Sequence, residues 1–327
     1  QLLRIKYNNS TYKIKLNLIG KVQLKNILMA TLAAIKSNIS IKDIFKVIPK
    51  IKSVNGRFEK IGKIKNNSKV ILDYAHTPDA LKTCLKNLKE QFSSHKVSLV
   101  FGCGGNRDKN KRAKMGKIAD LYSDKIYLTD DNPRLEQPDK IRKDIKKGIK
   151  KQKVLELANR EKAISKAIKD LNTGEILLVA GKGHETTQEI GKKKIFSSDK
   201  KIILNAIKTK NLTLSNNLKA NIINELSGEK KISPKAFLKQ GRINSQEVNK
   251  KDIFCAIRGK KNDGNKFISE AFKKKASIAI VNTINKNYNK KHQVKVNDTL
   301  KFLTKSSKIY RQNICLLYTS DAADDMQ

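Results

Sequence analysis

Tryptophan is absent from the 327 residues, and aromatic side chains make up only 6% of them. Proteins that track single-stranded nucleic acid interleave aromatics with their cations, so this scarcity argues against that class. Four cysteines, Cys84, Cys103, Cys255 and Cys315, stand far apart with no C-x-x-C pair. That excludes the usual zinc spacings and a disulfide framework, and it fits a reducing cytoplasm. No apolar run approaches the roughly 18 residues of a membrane helix; the longest are of the "EILLVA" kind, so no membrane partner is expected. The first residues, "QLLRIKYNNS", have no initiator Met, h-region or cleavage site. They do not read as a signal peptide and look like the middle of a longer chain. Also missing are a G-x-x-x-x-G-K-[ST] phosphate loop, a G-x-S-x-G nucleophile elbow and an H-x3-H metal pair. No metal ligands are therefore assigned within these residues.

Basic charge is abundant. Lys plus Arg number 71 against 30 acids, a formal net charge of +41. The cations are 61 Lys and only 10 Arg, spread along the whole length, whereas groove readers and phosphate clamps lean on arginine forks. Richness in Lys, Ile and Asn reads as compositional drift over an ordinary fold. No specific nucleic-acid partner is expected, although the charge alone predicts weak, salt-sensitive binding to polyanions.

The hydrophobic pattern predicts an α/β chain. Residues 16–36 read as a short strand, a turn at Gly20 and a helix with Leu24, Ile27, Leu28, Thr31 and Leu32 on one face. A second helix is capped at Ser40 and ends near Pro49, and two strands flank the polar "KNNS" turn. From Val70 apolar strands alternate with helices, the signature of a Rossmann-like, doubly wound, mostly parallel sheet. Residues 209–225 lose this rhythm and read as a linker plus helix. A smaller α/β unit follows over 226–312. The tail 313–327, "ICLLYTSDAADDMQ" from Ile314, abandons the preceding composition and reads as foreign to the fold.

Ligands of such sheets sit beyond the carboxyl ends of the strands. Four charged loops follow apolar strands there: "DYAHTPDA" (73–80), "GCGGNRDK" (102–109), "TDDNPR" (129–134) and "AGKGHE" (180–185). Each alone has a plain alternative. Asp-Asn-Pro is an ordinary turn, a lone His is commonly a structural hydrogen-bonder, and surface arginines form ion pairs. Together they offer two arginines, an amide and a carboxylate, which suits a zwitterionic amino acid: guanidinium forks pair with carboxylates, and Glu185 accepts from an ammonium.

These segments, "VNGRFE", "LDYAHTPDALK", "FGCGGNRDKNKRAKMGKIA", "YLTDDNPR" and "LLVAGKGHE", occur in the order and spacing of the carboxyl half of the Mur ligase family, which the chain resembles from about Leu16 to Ile207. The resemblance implies that residues 1–66 end a central ATPase domain and 67–208 form the amino-acid-binding domain. It implies an ATP- and Mg2+-dependent amide ligase of peptidoglycan synthesis, monomeric, acting on a UDP-MurNAc-peptide. "DNPR" resembles the pattern of the branch that adds meso-diaminopimelate. By that likeness Arg107, Asp131, Asn132, Pro133, Arg134, Gly181 and Glu185 form the amino-acid pocket, and Asn26, Arg57, Asp73 and His76 face ATP. Gln23 stands where the family has Asn. The family's phosphate loop and magnesium-binding lysine fall upstream of residue 1, so these residues alone are expected to be inactive. Residues 226–312 resemble the opening domain of a second Mur ligase, of the D-alanyl-D-alanine-adding branch, with Asn244-Ser245-Gln246 in place of Asp-Ser-Arg; that implies a fusion of two ligases. The competing reading is a non-catalytic amino-acid-binding module or a basic nucleic-acid binder.

Overall fold

The computed structural model describes residues 2–7, 10–16, 18–151, 154–228, 232–233, 236–259 and 262–310. The tail 313–327, with Cys315, lies outside them. Two compact units divide the chain, Gln1–Lys208 and Thr209–Gln327.

The first unit opens on an antiparallel hairpin, β1 (Leu2–Tyr7) and β2 (Ser10–Lys15). The sequence pattern placed a strand after Leu16 instead; Leu16 and Leu18 are buried but lie past the end of β2. Helix α1 (Lys21–Lys36) buries Gln23, Ile27 and Thr31, spaced by four. Leu28 and Leu32, expected on the same face, are exposed. Each follows a buried residue by one position, and one residue is about 100° of rotation around a helix. Helix α2 (Ile41–Val47) begins at Ser40, whose side chain accepts from the Asp43 N–H.

The βα alternation then builds a six-stranded sheet. In chain order it contains β3 (Glu59–Lys60), β4 (Lys69–Asp73), α3 (Pro78–Gln91), β5 (Val97–Phe101), α4 (Asn110–Tyr122) and β6 (Lys125–Leu128). It continues with α5 (Pro138–Lys146), β7 (Val154–Glu156), α6 (Arg160–Asp170) and β8 (Ile176–Ala180). The spatial order is β3-β4-β8-β5-β6-β7, parallel throughout except for β3. Strands β5 and β8 are buried along their whole length, which is why they read as unbroken apolar runs. Ile71, Leu99, Ile126 and Leu178 meet Leu81, Leu85, Met115, Ala119, Ile141 and Ile145 of α3, α4 and α5. Successive side chains point to opposite faces, and α6 packs on β5, β6 and β8. A hairpin, β9 (Thr187–Ile190) and β10 (Lys193–Phe196), follows β8. Its lysine-rich second strand hid it from the hydrophobic pattern.

Helix α7 (Asp199–Ser227) crosses the division between the units. Residues 209–225, expected as linker plus helix, are therefore helical throughout, and Ala220 and Ile223 join the core of the second unit. That unit carries β11 (Gly241–Arg242), β12 (Ile253–Cys255), α8 (Ile268–Lys273), β13 (Ile278–Val281) and β14 (Gln293–Lys295). Its sheet is wholly parallel in the order β11-β12-β13-β14. Ile253, Cys255, Ile278 and Ile280 face α7 and Phe302 of the helix at 299–310. Phe254, Ala279 and Val281 face Ile268 and Ala271.

Leu178 lies at the centre of the first sheet and is fully buried. Leu178→Ala is expected to remove about 2–5 kcal/mol from the first unit, read as an earlier urea midpoint in its unfolding transition.

Candidate functional site at the carboxyl edge of the sheet

Parallel pairing brings the four charged loops to one edge: Asp73 stands beside Ala180, and Phe101 beside Leu128. A buried arginine fastens three of them. Arg112 of α4 bonds Gly104 O at 3.4 Å, Glu136 at 2.9 Å and Asp144 at 3.2 Å. Arg142 of α5 pairs with Asp130 and, through Nε, with Glu156 at 2.8 Å. Arg160, at the first position of α6, reaches Ala180 O at 3.0 Å and grips both oxygens of fully buried Asp199 at 2.8 and 2.7 Å. These arginines are 1%, 9% and 2% exposed, so their charges are matched inside the protein rather than by water.

The "TDDNPR" segment divides its labour along the chain. Thr129 Oγ1 donates to Ala158 O, and Asp130 holds Arg142, so these two anchor the loop. Asp131 is buried, and its main-chain oxygen accepts from Gln188 Nε2. Asn132 Oδ1 accepts from Lys182 Nζ (3.3 Å) and the Glu189 N–H (3.0 Å), while its Nδ2 donates to Glu185 Oε2 (3.2 Å). The Pro133 carbonyl packs against Gly105 so closely that a β-carbon there would sit 1.9 Å from it. Arg134 adopts a left-handed φ of 51°, a conformation costing about 1 kcal/mol or more outside glycine. Its backbone pairs with β9, its Nε bonds Glu189 at 2.7 Å and its Nη1 donates to Gly105 O at 3.0 Å. Arg107 is exposed, donates to Asn106 O at 3.2 Å and lies near Gly104 as Arg134 does: a β-carbon at Gly104 would lie 2.9 Å from Arg134 Nη1 and 3.9 Å from Arg107 Cγ. At Gly181 (φ 116°) a β-carbon would lie 2.6 Å from Asp131 Oδ2. The predicted pocket residues are thus brought together.

Asn26, Arg57 and Asp73 line a neighbouring cleft of about 260 Å³, with Gly20, Gln23 and Asn87. Asp73 does not present a free carboxylate. It accepts from the Phe58 and Ala75 N–H groups at 2.7 Å each and from the Cys84 thiol, so it shapes the cleft. Gln23 donates to Arg57 O at 3.2 Å. His76 is not among the cleft's lining residues; it is exposed and its Nδ1 lies 2.9 Å from Tyr74 O. Tyr74 links the two regions: the Arg57 guanidinium lies 4.4 Å over its ring and the His184 ring is 5.5 Å away.

The sequence reading counted Lys182 among the groups its loop offers, but did not foresee Glu189, Tyr74 and the buried arginines as contributors. Lys182 stood in plain sight in "AGKGHE", but among 61 lysines nothing marked it as fully buried. Burial also decides the chemistry of two other groups. It pushes the Cys103 thiol up to about 12, so no thiolate nucleophile stands in the glycine loop at neutral pH. Burial raises the Asp131 carboxyl above its usual 3.8, against the opposing pull of Arg160 and Lys182. Among the described residues no group of three His, Cys, Asp or Glu is placed to hold a metal ion, and no helix is long and apolar enough to cross a membrane.

Residues 56–183 match the family model described as Mur ligase, glutamate ligase domain, and the chain carries a Mur ligase C-terminal domain there. Over 209 residues it is 44% identical to the UDP-N-acetylmuramoyl-L-alanyl-D-glutamate–2,6-diaminopimelate ligase of Rickettsia rickettsii, a match covering 64% of this chain and 43% of that protein. The ligase of the same name from Buchnera aphidicola subsp. Baizongia pistaciae is 47% identical over 195 residues, covering 59% and 38% respectively. A solved structure of a ligase of that name superposes with a TM-score of 0.53 at 32% identity, over 64% of this chain and 43% of the other. The chain therefore spans less than half the length of the relatives it matches.

Two stability outcomes follow from the buried charges. Arg160→Met strands Asp199 and is expected to cost about 3–5 kcal/mol, measurable by chemical unfolding. Asp131, with its pKa raised in the fold, stabilises most when protonated; its contribution is complete below 3.8 and is lost as pH rises through the folded value. Asp131→Asn should therefore melt higher than the parent at neutral pH, with the difference closing below pH 3.8. A constant offset across that range would contradict the assignment.

Proposed function

We propose that the chain is part of an ATP-dependent ligase that joins meso-diaminopimelate to UDP-N-acetylmuramoyl-L-alanyl-D-glutamate in peptidoglycan synthesis. The observation that carries this reading is the convergence of Arg134, Asn132 and Glu185 on one patch beside the glycine loop. meso-Diaminopimelate has a second amino-acid end that lysine lacks. Arg134 still has Nη2 to offer beyond its bonds to Glu189 and Gly105, and it would take the distal carboxylate. Glu185 would accept from the ammonium, and Arg107 would close the pocket across Gly104. Lysine would leave that guanidinium without its ligand partner, a mismatch costing about 1–3 kcal/mol. The names of the relatives support the same amino acid.

The cleft beside it suits a nucleotide: Arg57 supplies a cation for phosphate, Asn26 an amide, and Asp73 holds the wall through its backbone bonds. When bound, ATP would supply the phosphoryl group that activates the acceptor carboxylate. The Arg57–Tyr74 contact sits between this cleft and the amino-acid pocket, where it would help keep the incoming amine close to the activated carboxyl. Mg2+ finds no ligand cluster of its own among the described residues. For the second unit we infer the opening domain of a second Mur ligase, on the strength of its "FCAIRGKKNDGNKFISEAF" segment and its parallel four-stranded sheet.

Titration calorimetry with meso-diaminopimelate and with lysine tests the reading. The chain should prefer meso-diaminopimelate, and Arg134→Ala should weaken its binding about tenfold or more while leaving lysine unchanged. Equal affinity of the parent for both amino acids, or selectivity that survives Arg134→Ala, would overturn it.

A further inference from the structure

Lys182 is fully buried, yet it belongs to none of the groups expected to touch a substrate. A buried ammonium persists only where acceptors surround it, and this one has three. Its Nζ donates to Asn132 Oδ1 at 3.3 Å, to Glu185 Oε2 at 3.2 Å and to the Thr187 carbonyl. Two of these acceptors belong to the side chains that flank the amino-acid pocket, and the third begins β9. An asparagine amide can be turned either way round unless its neighbours distinguish oxygen from nitrogen. Here two donors, Lys182 Nζ and the Glu189 N–H, point at one end of it. That end must be the oxygen, and the NH2 is thereby aimed at Glu185.

We propose that Lys182 is a positioning residue that fixes the amide orientation of Asn132 and the carboxylate of Glu185, and so sets the polarity of the amino-acid pocket: NH2 donor and carboxylate acceptor outward, amide oxygen inward. The proposal rests on the pocket reading above for its consequence in binding, but not for its effect on Asn132 itself. Removing the ammonium leaves Asn132 Oδ1 with a single donor, the Glu189 N–H, and takes one of the donors from Glu185, which keeps the Asn132 amide and the Tyr74 hydroxyl, so the Asn132 side chain above all gains rotamers.

The test uses the full chain with Lys182→Met, which keeps the length of the side chain without its charge, and Lys182→Gln, which keeps a donor. In the ligand-free parent, the Asn132 side-chain NH2 should give a dispersed, slowly exchanging pair of signals in a 15N-correlated spectrum, assigned by its disappearance in Asn132→Ala. In Lys182→Met that pair should collapse toward the positions of exposed amides, while backbone signals of the sheet stay in place. Binding of meso-diaminopimelate should fall about tenfold, and the losses from Lys182→Met and Asn132→Ala should be less than additive in the double variant. Should Lys182→Met fail to fold, Lys182→Gln carries the same measurements with intermediate values expected. Unchanged Asn132 signals, or fully additive losses, would overturn the proposal. A parent that binds neither amino acid removes the pocket reading instead, and the Asn132 signals then decide the role of Lys182 alone.

Discussion

The site depends first on the bidentate pair between Arg160 and Asp199, both sealed from water. The guanidinium joins the start of α6 to the start of α7, and its remaining bond to Ala180 O fixes the last residue of β8 before the chain turns at Gly181. Such a pair yields little net stability over a well-packed apolar substitute, but its breakage is costly because one charge is left alone. It therefore acts less as a source of stability than as a constraint on geometry. The loop 180–185 can occupy one place only, and Glu185 and Lys182 inherit that place.

The same device recurs along the edge. Arg112 serves the glycine loop and Arg142 serves "TDDNPR", each from the helix that follows the loop in sequence. The composition acquires a meaning from this. Lysine outnumbers arginine six to one, yet the buried salt bridges of α4, α5 and α6 are all made by arginine. A planar fork with five donors satisfies two acceptors at fixed angles, which a point ammonium cannot do. Lysine dominates the charged composition, and arginine stands where these helices need forks. Lys182 is the exception that the same physics admits, because three acceptors converge on a single point around it.

The parallel sheet and the meeting of the four loops were legible in the sequence because unbroken apolar runs such as "ILLVA" and "VSLVF" leave few alternatives to buried parallel strands. The candidate pocket was legible because Arg134, Asn132 and Glu185 sit at the ends of those runs. What was hidden was hidden for physical reasons. The hairpin β9–β10 exposes its second strand entirely, so it has no hydrophobic period to detect. Leu28 and Leu32 of α1 looked like core by type while the packed face lay one position earlier. The burial of Lys182, Arg112 and Arg160 is a property of tertiary contacts with residues far along the chain, and no local pattern encodes it.

The glycine loop meets the Pro133 carbonyl backbone to backbone. At Gly105, as at Gly102 against Thr129 O, main chain meets main chain with no room for a side chain between. The platform beneath residues 132–134 is thus written in main-chain atoms that every residue shares. A side chain at Gly102 or Gly105 would push the two main-chain segments apart, whereas the side chains of residues 132 and 134 do not stand between them.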